Sequence, residues 1–263
     1  MKVLVVVRQV PDSTTNIKIR SDKQDIERVG VKMVVNPFDE FAIEQAVQLR
    51  EKRKDVELIT ALIVGPAAAS EALRTALAVG CDDGIHLQDA AFDGLDELQT
   101  AALIAAVVKD AGYDLLLTGK QEIDLDSGQL GPALAELLDI PHVGAVVKLE
   151  LAEDGRSFKA HRRIEGAEEV VQVRLPALIT ADKGLCEMRY PSLPNLMKAK
   201  KKPVKVLKAG DVPGFATVAG VGGTRMHDFQ PPPERPPGKL LDGEPEQAAK
   251  ELVRLLREEA KVI

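Results

Sequence analysis

Tryptophan is absent from this chain of 263 residues and aromatic side chains make up only 3% of it, so the interior has to be assembled from Val, Leu, Ile and Ala. That composition favours an α/β protein with buried aliphatic strands. Cysteine is scarce: Cys81 and Cys186 lie far apart, without a ligand companion at close spacing and with no signal peptide evident. Both read as reduced thiols, which implies a cytosolic or organelle-matrix compartment. No run approaches 18 apolar residues, so no membrane span is expected. A general excess of positive charge is missing too. The net charge of −6 argues against nucleic-acid binding. His86, His142, His161 and His227 have no mutual spacing that suggests a metal site or a catalytic triad.

What is present begins with Lys2-Val-Leu-Val-Val-Val-Arg8, a continuous aliphatic run of the kind buried on both faces of a sheet. The loop Gln9 to Asn16 after it stands where doubly wound folds place ligands. A hairpin-like stretch from Ile17 to Val35 leads to Asn36-Pro-Phe-Asp-Glu40, in which Asn36 suits an N-cap, Pro37 the first helical position, and the two acids the helix dipole. Phe38 either staples that helix or touches a ligand ring. Strands at 57–64, 84–87 and 113–118 alternate with a helix from Pro37 through Arg50 and helices at about 67–78 and 95–109, a βαβ rhythm that implies a parallel, Rossmann-like sheet.

The loop Thr118 to Gly131 then joins a strand to an Ala/Leu helix. Backbone N–H groups and a helix N-terminus converge in such a loop and form a phosphate cradle, with Ser127 as a cap or phosphate ligand and Gly128 and Gly131 allowing close approach. Neither a Walker A sequence nor GxGxxG is present. Asp124 and Asp126 would repel a phosphate if they pointed inward, so they are expected to shape the loop or face solvent.

Past Pro141 the texture changes to strands, at 143–151, 158–164, 169–175 and 177–181, read as a β-meander that extends or flanks the sheet. Tyr190 to Pro203 is an apolar prong with a cationic base: Leu193, Pro194, Leu196 and Met197, then Lys198, Lys200, Lys201 and Lys202. It either binds a partner that sets acidic groups around an apolar pocket, which the lysines favour, or packs on its own fold. The division expected is an α/β nucleotide-binding domain over 1–203, including the prong at 190–203, followed by an arm and a C-terminal helix over 204–263. Gly and Pro dominate the arm, including Pro231-Pro-Pro and Pro236-Pro-Gly. The last helix, about 245–260, carries Ala248, Leu252, Leu255 and Leu256 on one face and either embraces another subunit or docks on its own sheet.

The segments Asn36-Pro-Phe-Asp-Glu40, Gly119-Lys-Gln-Glu-Ile-Asp124, Leu175-Pro-Ala-Leu-Ile-Thr-Ala-Asp182 and Arg189 to Lys202 resemble the β subunit of electron transfer flavoprotein. The resemblance implies a heterodimer with an α subunit that accepts electrons from flavin dehydrogenases and passes them to a quinone oxidoreductase or a similar acceptor. On this reading it would have no acid–base site of its own and would not be an enzyme. FAD would sit mainly in the α subunit, with Phe38 near the flavin, and Leu193 would anchor in the partner dehydrogenase. A structural AMP would be held by Val6, Asn36, Val64 and the loop Gln121, Glu122, Ile123, Asp124, Asp126, Ser127, Gly128, Gln129 and Leu130. In electron-bifurcating members a second FAD takes that place, and the loop Asp124 to Pro132 lies closer to their pattern, whereas Asn36-Pro-Phe-Asp-Glu40 and the full lysine run resemble the ordinary carriers. Ser13, Arg163, Cys186 and Met188 depart from the family pattern, which puts a flavin-wall contact and an inter-subunit charge contact in question. A reading from another class is an adenine-nucleotide-binding enzyme or sensor working through the 119–131 loop.

Overall fold

The computed structural model describes residues 1–220, 222–235 and 237–263. In chain order the elements are β1 (Lys2–Val7), β2 (Gln9–Pro11), β3 (Met33–Val35), α1 (Pro37–Lys52), β4 (Leu58–Val64), α2 (Ser70–Val79), β5 (Asp83–Leu87), α3 (Glu97–Val108), β6 (Leu115–Gly119), α4 (Leu130–Leu137), β7 (His142–Leu151), β8 (Ser157–Ile164), β9 (Ala167–Arg174), β10 (Ala177–Ala181), α5 (Leu193–Ala199), β11 (Val204–Leu207), α6 (Phe215–Ala219) and α7 (Pro245–Glu258).

Nine strands form one sheet in the order β11-β5-β4-β1-β6-β10-β7-β8-β9, parallel except for the antiparallel pairs β7–β8 and β8–β9. The expected parallel α/β sheet is present, and β1 is the middle one of its seven parallel strands, β11 to β7. Because side chains alternate along a strand, Val3, Val5 and Val7 face the core shared with α1 and α2, while Leu4 and Val6 face the one shared with α3 and α4. Fully burying each of these aliphatic side chains contributes about 1.5–3 kcal/mol.

Three features differ from the sequence reading. β10 is not the last strand of a flanking meander: it is inserted between β6 and β7, parallel to both, and every one of its residues is buried. The chain past residue 203 is not extended at once, since Val204–Leu207 pairs in parallel with β5 and the ring of Phe215 packs edge-on against Phe92 at 5.3 Å. Gln9–Pro11, read as loop, pairs antiparallel with Met33–Val35, because Val10 has core to fill.

From Gly222 to the start of α7 none of the described residues lies in a strand or helix. It is tied by the N–H groups of Gly223 and Thr224, which donate to Asp96 at the start of α3, and by the N–H of Phe229, which donates to the carbonyl of Lys23. Pro236 of the proline-rich stretch lies outside the described residues. α7 buries none of its residues. Among the described residues no helix is long and apolar enough to cross a membrane.

Candidate functional site

β1 and β4 are parallel neighbours, and their carboxyl ends open into a cavity of about 590 Å³ that Asp124 and Leu130, from the segment after β6, also line. Val6, Val64, Leu130, Ile104 and Phe92 give it apolar walls; Arg8, Arg20, Arg28 and Asp124 give it a polar side. The guanidinium of Arg8 donates to Glu97 at the start of α3 and stands 3.8 Å from Asp124. Burial works against that cation, but Glu97 and Asp124 outweigh it and raise its pKa. Burial likewise pushes the Glu97 carboxyl up against the pull of Arg8, and Glu97 Oε2 is buried with no hydrogen-bond partner among the described residues.

Asp39 ties the floor of the site together. Its Oδ2 accepts from the Arg8 N–H at 2.7 Å, and its Oδ1 accepts from the Gly119 N–H at 2.8 Å and from Asn36 Nδ2 at 3.0 Å. One carboxylate therefore joins the ends of β1 and β6 to the first turn of α1. Burial pushes its pKa up to about 7, against these donors and with a further push from Glu122. Gly119 has to be glycine here: a Cβ would lie 2.4 Å from Asp39 Oδ1 and 2.7 Å from Phe38 Cβ.

Asn36 stands at the N-cap position of α1 but its side chain does not cap the helix. Instead Nδ2 donates to the Gln121 carbonyl at 3.0 Å and Oδ1 accepts from the Ile123 N–H at 3.3 Å, which fixes the loop after β6. Within that loop the buried Glu122 accepts from the Ser127 hydroxyl at 3.1 Å, and Gln121 donates to Asp126. Gly128 and Asp126 both take the left-handed conformation, with φ of 60° and 56°. Among the described residues the N–H groups of Ser127, Gly128 and Gln129 meet no acceptor, and they immediately precede α4. Open N–H groups at a helix start suit an anion.

Of the residues expected in a nucleotide site, Val6, Val64, Asp124 and Leu130 line the cavity. Asn36, Gln121, Glu122, Ile123, Asp126, Ser127, Gly128 and Gln129 shape or carry the loop beside it. Gly131, expected to let a ligand approach, serves packing: a Cβ there would lie 2.5 Å from Thr180 Cγ2 and 2.9 Å from Thr118 Oγ1. Phe38 lies outside the cavity with Lys120 Nζ 5.3 Å from its ring centroid, and Lys120 also pairs with the buried Asp182 at 3.4 Å. Arg163 reaches toward the same Asp182 at 3.9 Å. Cys186 Sγ donates to the Phe41 carbonyl at 3.4 Å, burial pushing its thiol up to about 12, while Ser13 and Met188 are exposed.

The prong forms α5, capped by the Ser192 hydroxyl, which accepts from the Asn195 N–H. Leu193 is 74% exposed and Met197 57%, with Pro194, Lys198, Lys200 and Lys201 also exposed and Leu196 over a groove against α2. Lys202 is different. Its ammonium turns into the fold and donates to the carbonyls of Leu77 at 2.8 Å and Cys81 at 2.6 Å, at the end of α2. Sequence reasoning missed Arg8, Asp39 as a hub, and Glu97. Arg8 carried a signal, a lone cation closing an aliphatic strand; Glu97 carried none.

Residues 25–212 match the family described as Electron transfer flavoprotein domain. The chain is 43% identical over its full length, and all of the relative's, to the electron transfer flavoprotein subunit beta of Bacillus subtilis (strain 168). It is 38% identical to the mouse subunit over 100% of this chain and 99% of that one, and 39% identical to the human subunit over 95% and 96%. Spanning this whole length, the likeness takes in the cavity, the loop after β6 and the prong together, and the chain belongs to the electron transfer flavoprotein beta subunit family.

Proposed function

We propose that this chain is the β subunit of a heterodimeric electron carrier that takes electrons from flavin dehydrogenases, such as acyl-CoA dehydrogenases, and delivers them to a quinone oxidoreductase or a similar acceptor. The observation that carries this reading is the ridge of Leu193 and Met197, apolar and exposed on a short helix, with Lys198, Lys200 and Lys201 beside it. An apolar anchor ringed by mobile cations suits brief, electrostatically steered docking on an acidic rim. The compartment is a bacterial cytoplasm or a mitochondrial matrix.

The α subunit is the permanent partner, and FAD bound chiefly there supplies the redox chemistry. This chain contributes the face formed by Phe38 and Lys120. AMP fills the cavity at the carboxyl ends of β1 and β4: the base fits the apolar walls of Val6, Val64 and Leu130, and the phosphate reaches the open N–H groups of Ser127, Gly128 and Gln129 in the loop beside it. Its role there is structural.

The test is to co-express both subunits, denature the heterodimer and quantify the released nucleotides by mass. One FAD and one AMP per heterodimer is expected. Two FAD and no AMP replaces AMP with a second flavin and makes the protein electron-bifurcating. Absence of flavin, or ATP turnover by this chain alone, overturns the carrier reading in favour of a nucleotide enzyme or sensor.

A further inference from the structure

The docking ridge is fastened at both ends. On its amino side, Arg189 spans two glutamates of α1: Nε and Nη2 donate to Glu44 at 2.7 and 2.8 Å, and Nη1 and Nη2 donate to Glu51 at 2.6 and 2.8 Å. The Glu44 carboxylate is 2% exposed, while Arg189 remains 39% exposed at the surface above it. On the carboxyl side, Arg74 of α2 donates to the carbonyls of Ala199 and Lys202 at 2.7 and 3.0 Å.

Between these anchors α5 has seven residues and buries only Ala199. A helix of that length is not stable by itself, and one alanine gives it little apolar hold. Its orientation therefore depends on the anchors. A planar guanidinium making four bonds to two carboxylates fixes both the position and the rotation of the backbone at residue 189, which a lysine ammonium cannot do.

We propose that Arg189, held by Glu44 and Glu51, is a positioning residue for partner docking: it sets the angle at which Leu193 and Met197 are presented and keeps the ridge ordered before any partner arrives. A preformed ridge avoids an ordering cost at each encounter. The inference rests on the docking role proposed above for this segment.

The test uses the co-expressed heterodimer as wild type, Arg189→Gln, Arg189→Lys, Glu51→Gln and Leu193→Ala. Amide hydrogen exchange over 190–201 is followed, and KM and kcat are measured for the heterodimer as acceptor of a purified acyl-CoA dehydrogenase reduced by its acyl-CoA. Arg189→Gln is expected to speed exchange in 190–201 alone and to raise KM about tenfold, equivalent to about 1.4 kcal/mol of docking energy, with kcat within about twofold. Arg189→Lys does not restore either property. Glu51→Gln, at an exposed acid, shifts both in the same direction by less.

Unchanged exchange and KM in Arg189→Gln, with KM raised in Leu193→Ala, overturn the positioning role and leave docking intact. An unchanged KM in Leu193→Ala removes the docking role, and the positioning role with it. Should Arg189→Gln speed exchange throughout the chain, Glu51→Gln decides, and an unchanged KM in that variant overturns the proposal.

Discussion

Asp39 is a single carboxyl on which three pieces of backbone depend. Its folded pKa of about 7 stands above the unfolded value of 3.8. As pH rises from about 4 to 7 the unfolded chain gives up this proton before the folded one does, so the contribution of Asp39 to stability declines across that window and levels off above it. Asn at this position does not titrate, but its amide cannot accept from both Arg8 and Gly119. Asp39→Asn is therefore expected to lower stability by about 1–3 kcal/mol and to flatten the pH slope between 4 and 7. Urea midpoints at pH 4.5, 6 and 8 check this, and identical slopes in the two proteins would assign the titration elsewhere. Gly119→Ala sets a methyl against the same carboxylate and against Phe38. It should cost about 1–3 kcal/mol by overpacking, read as a lowered thermal midpoint with retained secondary structure. In the sequence Asp39 looked like an ordinary first-turn acid, because its partners on β1 and β6 are brought to it only by the fold.

At the scale of elements, the four lysines of the prong divide by what they touch. Lys198, Lys200 and Lys201 project from the ridge, so neutralising all three should slow association with a dehydrogenase and reduce the dependence of that rate on salt. Lys202 closes the end of α2, where a cation on free carbonyls stabilises the helix. Lys202→Gln is expected to leave the salt slope unchanged and to lower stability by about 1–2 kcal/mol. Stopped-flow rates at several ionic strengths, beside a thermal melt, separate the two groups; a salt slope that drops for Lys202→Gln contradicts the division. Sequence spacing could not make this distinction, since the four lysines stand within five positions. The strands were legible to the extent that burial pattern follows sequence pattern. β8 and β9 were read within a meander that extends or flanks the sheet, and they extend it at one edge as antiparallel strands. Ala177–Ala181 is apolar without alternation apart from Thr180, the mark of a strand covered on both faces; its place in the sheet was obscured by its nearness to the meander. β11 was hidden by Pro203 before it and by the glycines and prolines after it.

For the molecule as a whole, the sheet and its helices hold the buried core, whereas α7 buries none of its residues and leaves Leu252 and Val253 exposed. Deleting 242–263 should leave the melting of the core within about 0.5 kcal/mol, as for surface changes generally, and should weaken assembly with the α partner in sedimentation of co-expressed subunits; undiminished assembly removes α7 from the interface. Of the candidate site, Val6 and Val64 were implied by the family resemblance, and topology alone pointed only to the loop after β1, since doubly wound sheets bind ligands at strand ends. The pairing of Arg8 with Glu97 joins residues 89 apart in sequence and carried no local signal.

The position of β10 also bears on how the protein is made. β6 is finished at Gly119, but the strand that covers its free side does not begin until Ala177. About sixty residues must be translated in between, roughly 3–12 s at 5–20 residues per second. Through that interval Leu115, Leu116 and Leu117 offer an open aliphatic edge, the kind that recruits a strand from a neighbouring nascent chain. Chains stalled on the ribosome before Ala177 are thus the ones most prone to aggregate or to engage a chaperone, and emergence of β10 ends that exposure.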